Sequence, residues 1–189
     1  MDIEIELDNH RTFFAIAIRH YRQIEELVKQ RDRFKGKTDG DAEDSAALNA
    51  AIQRDAMVTT IFCALTLEAF INSYGIHSFS KSNFEDHLDK LNPVSKWVII
   101  PKLATGSQIR KDGQGYKLLK DVFKLRDKLV HYKSRKKRIS ELKEDEDWVT
   151  EKHAQRSIEA VTVILQELKS LDPQIDVDWL EDAEHDPYA

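Results

Sequence analysis

Cysteine is almost absent from this chain of 189 residues: the single Cys63 stands in the apolar run "VTTIFCALTLEAF". One cysteine excludes a disulfide framework and fits a reducing compartment. Among Val, Ile, Phe and Leu it reads as a buried, inert thiol rather than a nucleophile. Glycine (6) and proline (4) are scarce too, which argues against a strand-and-turn architecture and for long helices. Long hydrophobic runs are missing: the longest, about 14 residues, carries Glu68 and is too short and too polar to span a bilayer. The opening "MDIEIELDNH" is acidic and lacks the apolar segment of a secretory leader. A cytoplasmic protein with no membrane partner is expected. There is no P-loop, no dinucleotide-binding glycine pattern and no Ser or Cys in a nucleophile context. His10, His20, His77, His87, His153 and His185 show no metal spacing. Neither a cofactor nor a metal is expected.

Charge, by contrast, is abundant and unevenly spread. The formal net charge of −5 disfavours a generally basic nucleic-acid binder. Yet from Lys117 to Arg138 there are ten Lys/Arg against only Asp121 and Asp127, and from Asp172 onward seven Asp/Glu and no Lys or Arg. The chain has one basic segment and one acidic end.

Apolar residues recur at helical spacing along most of the length. Asp8 is a suitable N-cap for a first helix that carries Phe13, Phe14, Ile16, Ala17, Ile24, Leu27 and Val28 and ends near "KGKTDGD". Asp44 or Ser45 caps a second helix, amphipathic at first and apolar nearly all round from Val58, as suits the middle of a bundle. It runs to about Tyr74, with Gly75 placed as its C-cap. "SKSNFEDHLDKL" carries a short helical turn. Asn92 and Pro93 begin another helix that Pro101 kinks or ends, and "ATGSQIRKDGQG" is a loop. A long helix then starts near Tyr116, and a last one spans roughly Asp147 to Leu171. The expected fold is all-α: an up-and-down bundle of four long helices with a short helical insertion, a single domain over residues 1–172. The acidic tail, 173–189, has few apolar residues and is expected to be loosely held.

Within the basic segment, "LRDKLVHYKSRKKR" (residues 125–138) puts Arg126 and His131 five positions apart. A histidine titrates near neutral pH and can move a proton between two oxygens. An arginine fork matches two phosphate oxygens. RNA brings its own nucleophile, the 2′-hydroxyl, so a base, an acid and a cation suffice for cleavage. Five helical positions rotate by about 140°, so the two side chains do not share one face; a site shared by two chains relaxes this. With 11 Arg and 7 His, one fixed spacing arises by chance about 0.4 times. A surface ion pair and a histidine near a helix end is the plainer alternative.

"LRDKLVHYK" resembles the signature of the HEPN superfamily (higher eukaryotes and prokaryotes nucleotide-binding): Arg, a polar residue, a short gap, then His, late in a bundle of four or five helices. Arg126, Asp127 and His131 match it position by position. "FCALTLEAFINSYG" (residues 62–75) is similar to the apolar second helix of such proteins, and "NPVSKWVIIPKL" lies between the two as in the family. The resemblance covers about Asp8 to Leu171. It implies a metal-independent endoribonuclease, usually a homodimer with the two Arg/His pairs facing each other, in toxin–antitoxin, phage-defence or CRISPR settings. Other members keep the fold without activity. One subgroup has a Tyr two residues after the His; here Lys133 holds that position and Tyr132 is adjacent.

Glu68, in the most apolar part of the second helix, needs a partner if buried. Arg126 is one choice; a bundle edge with water or a lysine is the other. Asn72, one turn on, shares its face and could join the network. Lys133, Arg135, Lys136, Lys137 and Arg138 could draw RNA to the site, or form a solvated loop balanced by "ELKEDEDW".

The leading expectation is therefore a dimeric HEPN-like endoribonuclease acting on RNA. In it His131 is the general acid/base, Arg126 binds the scissile phosphate and Asp127 orients either one, with an antitoxin or other protein as a partner. The alternatives are a non-catalytic HEPN-like module that binds RNA or protein, and a purely structural helical bundle.

Overall fold

The structure, a computed structural model, describes residues 9–34, 41–131 and 149–185. These residues form seven helices and no strand: α1 (Asn9–Phe34), α2 (Asp41–Phe79), α3 (Lys81–His87), α4 (Pro93–Thr105), α5 (Gln114–Val130), α6 (Glu151–Leu171) and α7 (Trp179–His185). The chain is thus all-α over the described residues.

The 39-residue α2 is the axis of the fold and touches α1, α3, α4, α5 and α6. Its buried residues, among them Ala56, Cys63, Ala64, Leu67, Phe70 and Ile71, face several directions because neighbours surround it. Such a helix has no single apolar stripe. By length and hydropathy the stretch Asp44–Phe79 could cross a membrane, contrary to the short run read from the sequence. Half of its most apolar window is buried within the protein, as for a core helix. Burial also pushes the Cys63 thiol well above its usual range, which keeps it protonated and inert.

Trp97 of α4 is fully buried, and its indole Nε1–H donates to the Leu67 carbonyl at 3.2 Å. That bond satisfies the only polar atom of a large ring whose burial contributes about 2–3 kcal/mol. Asn92 caps α4, its side chain accepting from Ser95 N at 2.9 Å, with Pro93 at the first position. Pro101 does not end the helix, which continues to Thr105. A proline withholds one backbone donor, and here the remaining turn closes on Gly106, whose φ of 79° is left-handed.

Two further expectations are corrected. Gly75 lies inside α2 rather than capping it; a Cβ there would come within 2.7 Å of the Phe84 ring. The glycine lets α3 press onto α2, a packing demand that looks like a cap in the sequence. Over its described residues the acidic end is not loose either: Val177, Trp179, Leu180 and Ala183 are buried in the main core. Trp179 meets Phe14 edge-on at 5.7 Å between ring centres, and Arg11 pairs with Asp176 at 2.6 Å. Few apolar residues suffice when one is a tryptophan.

Tyr74 ties this end of the molecule together, its hydroxyl donating to Asp172 Oδ2 at 2.9 Å. Burial first, then the Asp172 carboxylate, push its ionisation up to about 12 from the usual 10.0. The neutral ring is the form the fold favours, so its contribution is fully present below pH 10 and is lost as pH rises from 10 to 12. Tyr74→Phe should cost about 1 kcal/mol near pH 7, and its deficit against the parent should shrink on going to pH 12. Urea titrations at several alkaline pH values measure this; a deficit that does not change with pH would count against it.

Candidate functional site

The rotation of α5 is set by Leu118, Leu119, Val122 and Phe123, all buried against the core. With those positions inward, Arg126 falls at the edge that faces α2. There its Nη2 donates to Glu68 Oε2 at 3.2 Å, and its Nη1 lies 3.2 Å from Asp127 Oδ1. The guanidinium also lies over the Phe123 ring, 5.4 Å from its centre. Of the two partners open to Glu68, the fold selects Arg126, 58 residues away in the chain.

The arginine is clamped but not sealed: its side chain is 23% exposed, that of Glu68 34% and that of Asp127 58%. A guanidinium has five N–H donors in a planar fork. The contacts to Glu68 and Asp127 leave donors for a phosphate while fixing the plane from which they point.

His131 is the first residue past α5. Its backbone N–H donates to the Asp127 carbonyl at 2.9 Å, and φ −102°, ψ 30° take the chain out of the helix. The side chain is exposed. The Asp127 carboxylate lies against Arg126, at 3.2 Å. Tyr132, Lys133, Arg135, Lys136, Lys137 and Arg138 lie outside the described residues.

Asn72 does not join this network. Its Oδ1 accepts from Lys96 Nζ at 2.8 Å, and Lys96, only 3% exposed, also meets Asp89 at 3.4 Å. The buried ammonium, 5.3 Å from the Phe84 ring centre, fastens α4 to α2 and α3. A lysine buried along its stem needs such oxygen partners for its ammonium, and the Asn72 amide supplies one.

The sequence reading passed over a second feature. On the side of α5 facing α6, a cleft of about 310 Å³ opens between the helices, lined by Leu118, Val122 and Leu125 with Lys124, Lys128 and Arg156. The signal was the pair Lys124 and Lys128 at i, i+4 spacing; which residues of α6 would face it was not written locally.

Fold and site together define an all-α protein in which an arginine late in one helix is held by carboxylates of two helices, with an exposed histidine at that helix's end. No protein-family model matches the chain, and neither does any curated protein or solved structure.

Proposed function

We propose that this protein is a metal-independent endoribonuclease of HEPN type. One observation carries the reading: Arg126 is held in a fixed plane by Glu68 and Asp127 at 3.2 Å each, partly open to solvent, on the helix that ends at the exposed His131. In this reaction His131 takes the proton of a 2′-hydroxyl. The 2′-oxygen bonds to phosphorus, the bond to the 5′-oxygen breaks, and a second imidazole protonates the leaving oxygen. Arg126 binds the non-bridging oxygens, whose charge grows in the transition state. The second His/Arg pair comes from another copy of the chain in a symmetric dimer, because one pair alone makes a sparse site. The finer assignments belong to the same proposal: an up-and-down bundle of four long helices with a short helical insertion and a cytoplasmic setting, from the sequence pattern, and a toxin or phage-defence role with a protein antitoxin, from the resemblance.

A second reading draws on the same geometry. An arginine facing two carboxylates can be a purely structural group, and the domain would then bind RNA or a protein without cutting it.

Purified protein with EDTA present is expected to cut single-stranded RNA to 2′,3′-cyclic phosphate and 5′-hydroxyl ends, and to scatter light as a dimer at micromolar concentration. A strict requirement for a divalent ion sinks the mechanism. A cleaving monomer removes the shared site, and binding without cutting supports the second reading.

A further inference from the structure

The geometry points to a nucleotide subsite in the cleft between α5 and α6, where one nucleotide of a single-stranded RNA lies with its base on the apolar floor and its phosphates on Lys124 and Lys128. This inference rests on the ribonuclease reading for its choice of ligand. Leu118, Val122 and Leu125 form the floor. Lys124 and Lys128, one helical turn apart, form an exposed rim. Arg156 on the opposite wall is paired with Asp121 at 2.8 Å, so the charge left over is that of the two lysines.

The dimensions suit this occupant. About 310 Å³ stands at the lower end of ligand-pocket sizes, room for one base and its sugar but not for a duplex. Apolar walls suit the face of a base and do nothing for a bare phosphate. Two lysines suit a phosphodiester chain, to which each contributes as a point charge. His153 also lines the cleft. Its Nδ1 accepts from the Thr150 amide at 3.1 Å. The cleft also lies on the helix of the candidate site: Lys124 precedes His131 by seven residues, about 10 Å along the axis. A strand held here runs on toward His131.

Binding of a fluorescein-labelled 12-nucleotide RNA to the full chain, carrying His131→Ala to prevent turnover, tests this by anisotropy. Lys124→Glu with Lys128→Glu is expected to weaken binding about tenfold or more at low salt, and to lower the slope of log K against log salt by about 1.4, two single-strand phosphate contacts. Lys124→Gln with Lys128→Gln is the milder pair should the reversal perturb folding by circular dichroism, and it should show the same slope change. A 12-unit abasic strand is expected to bind about tenfold more weakly than the RNA, and free AMP at millimolar concentration to compete poorly. Unchanged affinity in both lysine pairs, or an abasic strand that binds as well as RNA, overturns the subsite. Strong competition by AMP overturns the RNA occupant in favour of a free nucleotide. Binding is read without cleavage, so a chain that never cuts RNA leaves this measurement intact. Cleavage with no lysine effect removes the subsite alone.

Discussion

His131→Ala is expected to lower RNA cleavage by a hundredfold or more and to leave the fold almost untouched. The side chain is exposed just beyond α5. The hydrogen bond at this position runs from the backbone N–H to the Asp127 carbonyl, and alanine keeps it. Surface substitutions that break no cap, core or network usually change stability by less than about 1 kcal/mol, a shift of about 2–4 °C in Tm for a chain of this size. Loss of a positioned acid/base costs about 10²–10⁴ in rate. That loss should fall on kcat, with KM little changed, because the imidazole acts on a proton in flight rather than on bound substrate. Single-turnover kinetics and thermal melts on the same preparation measure both sides. Full activity in the variant, or a collapse of the helical signal, removes the main support for the nuclease reading.

Arg126→Ala should also abolish cleavage, by about 10²–10³, the scale of losing one donor to a developing oxyanion. Its effect on stability differs, because Arg126 bridges helices. Its removal strands Glu68 at the α2–α5 contact and uncovers the Phe123 ring. Glu68 is 34% exposed and reaches water, so the cost should be about 1 kcal/mol rather than the several expected of a buried orphan charge. Adding Glu68→Gln should restore most of that stability and none of the activity. Arg126→Lys separates charge from shape: a lysine keeps the cation but not the planar fork, and most of the activity should still be lost. Should Arg126→Ala cleave RNA normally, the clamp of Glu68 and Asp127 is a structural brace and the second, non-catalytic reading gains.

Local features of this fold were legible in the amino-acid order because they depend on neighbours within a turn or two. The apolar period of α1, the Asn92–Pro93 start of α4, the buried Cys63 and the largely apolar second half of α2 all belong to this group. So do the residue types at 126, 127 and 131, whose functional groups are read directly from the amino-acid order. Three-dimensional packing decided the rest. Gly75 and Pro101 look like helix terminators, yet one makes room for the Phe84 ring and the other costs a single backbone bond in a helix held by Trp97. Residues 175–183 look like a solvated acidic tail, yet Trp179 finds a pocket on Phe14 and Phe70. Glu68 and Asn72 are one turn apart on α2, yet Glu68 turns to Arg126 and Asn72 to Lys96. The division has one physical cause. Helix periodicity and capping are settled between residues i and i+4, whereas the partner of a half-buried polar group depends on how helices dozens of residues apart rotate against one another.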